Sequence, residues 1–138
     1  MQHQTPNAWE PEIIVSDVEV EKLLGIANAA LERNPEIAED LIAELERATV
    51  LGDSQFPKTV VRMGSDVEFE TDNGRLRRRV TLVFPAEADI SRGKISVLTP
   101  IGTALIGLSS GQSIKWLTRD GREQMLTVLA VEQCAVPA

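Results

Sequence analysis

Four carboxylates, Glu32, Glu36, Glu39 and Asp40, crowd around the dipeptide Asn34-Pro35. Acids grouped at the end of a hairpin could hold Mg²⁺, which takes oxygen ligands and keeps several waters with one or two carboxylates. Acids are also favoured in the first turn of a helix, where they face the partial positive charge of unpaired amides. That ordinary role is the expectation here, and no metal or other cofactor is assigned. A second suggestive group is Arg75, Arg77, Arg78 and Arg79, which looks like a strip for phosphate backbones until its pairing is drawn. His3 is the only histidine, so no histidine triad or histidine-centred zinc site can be built. The single cysteine, Cys134, has no partner for an internal disulfide and no evident activating neighbour. Gly102, Gly107 and Gly111 match neither phosphate-binding glycine fingerprint. Trp9 and Trp116 lack adjacent aromatics, and tyrosine is absent, so no base-stacking platform is expected. Trp116 is expected in the core, and Trp9 either in solvent or anchoring a leader. No catalytic residue is assigned, and the chain is expected not to be an enzyme.

The totals bound what can position these residues. The chain has 138 residues, 43% hydrophobic and 25% charged, enough for one packed core or a small domain with an appendage. No apolar run approaches the roughly 20 residues that cross a bilayer, so no membrane partner is expected. Residues 1–11 lack a basic start and a small-residue cleavage site, which makes the cytoplasm the expected compartment. The net charge of −7 argues against general affinity for nucleic acid. Its distribution is uneven. Residues 1–49 carry eleven acids against three bases, Lys22, Arg33 and Arg47, while residues 50–138 carry ten acids against eleven bases. Two structural units are expected behind a leader at 1–12, one at 13–52 and one at 53–138.

The first unit reads as a short β-prone run, Ile13 to Val15, followed by a helical hairpin. Ser16 and Glu19 have the spacing of a capping box. Val20, Leu24, Ala27 and Leu31 then recur at helical spacing, and Gly25 weakens the helix by about 1 kcal/mol relative to alanine. At Asn34-Pro35 the pattern restarts, with asparagine as cap and proline in the first helical position. Ala38, Leu41, Leu45 and Ala48 come next, with Ile37 and Ile42 beside them and Gly52 as the expected stop. Each helix is expected to span about 16 residues, or roughly 24 Å, and the short connection makes the two antiparallel.

The second unit reads as an antiparallel sheet with one short helix. Asn73-Gly74 is a two-residue hairpin signal that sets Asp72 against Arg75, Glu70 against Arg77 and Glu68 against Arg79. Each such pair is worth a few tenths to about 1 kcal/mol, so the arginines are expected to form a solvated ladder. Val67, Phe69, Leu76, Val80, Leu82 and Phe84 would occupy the buried face. A strand is expected at Lys94 to Leu98, then a helix started by Thr99-Pro100 and stopped at Gly107. Two final strands, Gln112 to Thr118 and Glu123 to Val131, are joined at Asp120-Gly121, with Ile114 opposite Leu126 and a loose end from Gln133.

The stretch Gly93-Lys94-Ile95-Ser96-Val97-Leu98-Thr99-Pro100-Ile101-Gly102-Thr103-Ala104-Leu105-Ile106-Gly107 resembles the C-terminal domain of the Gre transcription-cleavage factors. The preceding Val80-Thr81-Leu82-Val83-Phe84-Pro85-Ala86-Glu87-Ala88-Asp89 and the following Gly111-Gln112-Ser113-Ile114 extend the likeness to about residues 58–132. The resemblance implies an α+β chain with an FKBP-like domain that docks on bacterial RNA polymerase near the mouth of its secondary channel. The docking residues implied are Leu98, Thr99, Pro100 and Ile101. The N-terminal part departs from the Gre pattern, whose much longer coiled coil delivers a catalytic metal at its acidic tip. A short hairpin, an Ile-Ile-Val leader and a Gre-like domain together resemble the Rnk family of regulators of nucleoside diphosphate kinase. This second resemblance implies a monomeric polymerase-binding regulator that competes with Gre factors, does not stimulate transcript cleavage and affects nucleoside diphosphate kinase indirectly. Its hairpin tip would present Glu32, Arg33, Asn34, Glu36, Glu39 and Asp40. The alternative is an active cleavage factor that holds Mg²⁺ on Glu36, Glu39 or Asp40. A prolyl isomerase of the same fold is disfavoured, because such pockets need aromatics and the chain has three Phe and two Trp.

Overall fold

The computed structural model describes residues 11–71, 74–117 and 121–133, with the side chain of Leu117 left aside. Expectations about His3, Trp9, Asp72, Asn73, Thr118, Asp120 and Cys134 lie outside the described residues. Strand β1 (Ile14–Ser16) leads into helix α1 (Asp17–Ala30), and helix α2 (Pro35–Arg47) returns to strand β2 (Thr49–Leu51). β1 and β2 pair in parallel, Ile14 beside Thr49 and Ser16 beside Leu51. The second helix therefore stops at Arg47, five residues before the expected terminator Gly52, because the chain must straighten to reach β1. At 14 and 13 residues the helices are roughly 20 Å long.

Within the hairpin α1 buries Leu23, Ala27 and Ala30, and α2 buries Ala38, Leu41 and Leu45. Leu23 with Leu45, Ala27 with Leu41, and Ala30 with Ala38 stand at equal sequence distances on either side of Asn34. An antiparallel hairpin stacks them as three layers that narrow to alanine at the tip. The buried stripe of α1 is thus centred on Leu23, with Val20 and Leu24 packed at its flank and Leu31 only half-buried. The face expected from Val20, Leu24 and Leu31 is turned by one residue.

The expected capping box is also replaced. The Ser16 hydroxyl accepts from the Val18 amide at 3.3 Å and donates to Asp53 Oδ1 at 2.9 Å. The Glu19 carboxylate instead accepts from Arg62 Nε at 3.0 Å and from the Met63 amide at 3.3 Å. Arg62 also bonds Asp53, and its guanidinium lies 4.8 Å from the centre of the Phe56 ring. A charge-assisted bond to a half-buried guanidinium outcompetes a local cap, because it neutralises both groups. Hydrogen bonds from Arg62 and Ser16 hold the Asp53 carboxyl below its ordinary range. The stability this adds is present above about pH 4 and is lost as pH falls through the depressed value. Replacing Arg62 by alanine strands Glu19, whose side chain is only 12% exposed. The Arg62→Ala variant should lose about 2 kcal/mol, read as a lower urea midpoint with an unchanged m-value.

The second sheet has five strands, β3 (Asp66–Thr71), β4 (Leu76–Val83), β5 (Lys94–Ser96), β6 (Ser113–Leu117) and β7 (Glu123–Glu132), in the order β5-β4-β3-β7-β6. Three of its pairings are antiparallel, but β5 lies parallel to β4, so the sheet is mixed where an antiparallel one was expected. Two short helical turns, Pro85–Glu87 and Ile90–Arg92, carry the chain between those two strands. The registers Glu68 opposite Arg79, Glu70 opposite Arg77 and Ile114 opposite Leu126 are those expected. The ion pairs follow the register loosely. Arg77 reaches Glu68 and Glu70 at 3.9 Å, whereas Arg79 turns to Glu132 on β7 at 2.8 Å and to Asp66 at 3.8 Å. Leu76 is exposed instead of buried: the first four residues of β4 all face solvent, and the covered part begins at Val80. One apolar cluster joins the two parts, with Ile13, Val15, Leu23 and Leu41 beside Val67, Phe69, Leu105 and Leu126. Among the described residues no helix is long and apolar enough to cross a membrane.

Candidate functional site

Helix α3 (Pro100–Leu105) hangs from a tightly bonded turn. The Thr99 hydroxyl accepts from the Gly102 amide at 3.0 Å and donates to the Ser96 carbonyl at 2.7 Å. The Ser96 hydroxyl accepts from the Leu98 amide at 3.0 Å, and the Thr103 hydroxyl donates to the Val97 carbonyl at 2.8 Å. Proline in the first helical position gives up no bond, since that amide would be orphaned anyway. Between them these bonds fix residues 96–103 into one rigid corner. Pro100 is exposed, and Leu98, Thr99 and Ile101 are half-buried, with Leu98 and Ile101 packed against the core.

The corner forms one wall of a groove of about 880 Å³ whose other wall is the tip of the helical hairpin. Leu98, Thr99 and Pro100 line it together with Asn34, Glu36 and Asp40, so residues read separately in the sequence share one concavity. Ile101, Glu32 and Glu39 are not among its lining residues, and Arg33 borders a different groove. Sequence reasoning did not place Ile37, Glu44 and Trp116 in the site, and they are among the other residues that line the groove. Glu44 could have been found, because Glu36, Asp40 and Glu44 recur every fourth residue on one face of α2. Trp116 was expected in the core, and its place in this wall depends on α2 and α3 packing beside β6; its indole N–H is buried with no acceptor among the described residues.

The expected cap at Asn34 is absent: its side chain makes no capping bond, and only its carbonyl serves the helix, accepting from Ala38 at 3.0 Å. No group of three or more His, Cys, Asp or Glu side chains converges where a metal ion could be held, among the described residues. Partial loss of solvent around Asp40, a residue otherwise exposed, raises its carboxyl above the ordinary range, helped by the negative charges of Glu36 and Glu39. A raised carboxyl favours the folded state below about pH 4, and that benefit is lost as pH rises through the elevated value. Asp40→Asn should therefore raise Tm at pH 7 by ~1 °C, small because the side chain is exposed, and leave it unchanged near pH 3. Thermal unfolding at the two pH values reads this directly.

The family model described as Transcription elongation factor, GreA/GreB, C-term matches residues 56–133, and that described as Rnk N-terminus matches residues 11–51. The chain is 37% identical over 123 residues to the Regulator of nucleoside diphosphate kinase of Escherichia coli, spanning 88% of this chain and 90% of that protein. It is 36% identical over 76 residues to Transcription elongation factor GreA of Thermodesulfovibrio yellowstonii, covering 55% of this chain and 48% of that one. Among solved structures, a prokaryotic transcription elongation factor GreA/GreB from Nitrosomonas europaea superimposes with a TM-score of 0.70 at 34% identity, over 88% of this chain and 99% of that one. With an Rnk-type hairpin joined to a GreA/GreB-type domain, the chain belongs to the Rnk family, the regulators of nucleoside diphosphate kinase.

Proposed function

We propose that this protein regulates transcription by binding core RNA polymerase at the entrance of the secondary channel, in competition with Gre factors. The observation that carries this reading is the single groove shared by the Thr99-Pro100 corner and the hairpin tip, in a chain whose C-terminal domain is of the elongation-factor type. The corner is rigid, so Leu98, Pro100 and Ile101 offer an apolar contact that loses little side-chain freedom on docking. The acidic hairpin steers the protein toward a basic channel mouth. Residues 13–52 and 53–138 serve as the two working parts behind the leader at 1–12, and the protein acts as a cytoplasmic monomer. A hairpin of roughly 20 Å falls short of the active centre that a long coiled coil reaches, so transcript cleavage is not stimulated. The effect on nucleoside diphosphate kinase is then indirect, through expression.

Pro100→Ala combined with Ile101→Ala should weaken polymerase binding at least tenfold, about 1.4 kcal/mol, while the circular dichroism spectrum is kept. Unchanged binding by that variant would remove the corner from the interface. Stalled elongation complexes incubated with saturating protein should release no short RNA; release that Glu36→Ala with Asp40→Ala abolishes would make it a cleavage factor instead.

A further inference from the structure

Residues 1–49 hold only three bases, and they are used differently. Arg47 is paired with Glu44 and the Pro11 carbonyl. Lys22 and Arg33 are exposed and make no ion pair among the described residues, although acids outnumber them around the hairpin. Both border the same groove, a second concavity of about 640 Å³ between α1 and the Phe84-Pro85-Ala86 corner. Lys22 stands on α1, whereas Arg33 lies in the turn just beyond its end, so the two cations flank the stretch of α1 that lines the groove. Between them the groove is lined by Gly25, Ile26 and Ala29, and Phe84 and Leu98 close its far side. Gly25 has ordinary helical backbone and nothing within 4 Å of where a Cβ would stand. The fold does not need a glycine there, and its presence weakens the helix.

We infer that this groove docks an amphipathic helix of a partner protein whose apolar face is bracketed by carboxylates. Charge complementarity selects that occupant. Two unpaired cations at the ends of an apolar floor match two separated carboxylates on an apolar face, the helix-in-groove mode of recognition. Nucleic acid fits badly, because its continuous negative charge would lie against an N-terminal segment whose acids far outnumber its bases. An extended strand fits badly too, since the walls are a helix surface and a proline corner and offer no free strand edge. Gly25 and Ala29 let the incoming helix approach within the 8–10 Å typical of packed helices.

The probe is a capped synthetic helix of about eighteen residues, with leucines on one face and a glutamate flanking that face toward each end. Titrated into isotope-labelled full-length protein, it should shift the amide signals of Gly25, Ile26, Ala29 and Ala86 in a saturable way. A peptide with glutamine in place of both glutamates should bind about three- to tenfold more weakly, and so should the glutamate peptide on Lys22→Gln, Arg33→Gln protein. Ala29→Glu, at an exposed position that tolerates any helix former, should abolish binding without altering the spectrum of the core. No saturable shifts at millimolar peptide, equal binding of the glutamine peptide, or shifts that lie away from α1 would overturn the inference. So would a dimer in sedimentation that Ala29→Glu dissociates, because the occupant would then be a second copy of this chain.

Discussion

Gly102→Ala is expected to destabilise the protein by about 3 kcal/mol, lowering Tm by about 10 °C, and to weaken polymerase binding with it. A Cβ at this position would stand 2.2 Å from the Ser96 carbonyl oxygen and 2.8 Å from Val97 Cα. Both obstacles are backbone, so no side chain can swing aside and the helix must lift off the end of β5. Lifting it breaks the bonds that Thr99 makes to Ser96 and Gly102, and those bonds shape the proposed docking corner. Thr99→Ser keeps the hydroxyl and should stay within about 0.5 kcal/mol of the parent. Thermal melting and polymerase titration of the pair read both effects. A Gly102→Ala protein that melts normally would mean the corner is not wedged by this contact.

Gly107→Ala should cost more, about 4 kcal/mol, because two penalties add. Its φ of +82° is unfavourable for any residue with a Cβ, by about 1–2 kcal/mol. The added carbon would also stand 2.7 Å from Ile13 Cβ and 3.2 Å from the Ile14 carbonyl oxygen, an overpacking worth about 1–3 kcal/mol. Three segments meet here: the Gly107 amide donates to the Val61 carbonyl at 3.0 Å, and its carbonyl accepts from the Ile14 amide at 3.1 Å. Gly64 separates the two penalties, having φ of +85° but open space around it. Gly64→Ala should lose only about 1 kcal/mol. Equal losses at the two glycines, measured by urea unfolding, would mean that the packing of the leader strand against α3 contributes nothing.

How much the sequence disclosed depended on how far apart the deciding partners lie. The pairings of Glu68 with Arg79 and of Ile114 with Leu126 were legible because a short turn fixes register without help from the rest of the chain. The cap at Thr99 was legible for the same local reason. Glu19 was misread as a capping residue because its actual partner, Arg62, is 43 residues away and wins by charge. β2 was hidden because helical spacing of apolar residues runs on through Ala48, while the reason to extend is the β1 edge more than thirty residues upstream. The parallel placement of β5 depends on the path through Pro85–Glu87 and Ile90–Arg92, which no periodicity encodes. The two halves of the candidate groove were each visible as motifs. Their facing one another is a consequence of packing α2 and α3 beside β6, which brings Trp116 into the wall.

The most direct test is titration of fluorescently labelled protein with core RNA polymerase, repeated with a Gre factor as competitor. Saturable binding that the Gre factor displaces is the expected result, and it would establish a shared docking site at the secondary-channel entrance. No binding at micromolar polymerase, or binding that the Gre factor leaves undisturbed, would contradict it.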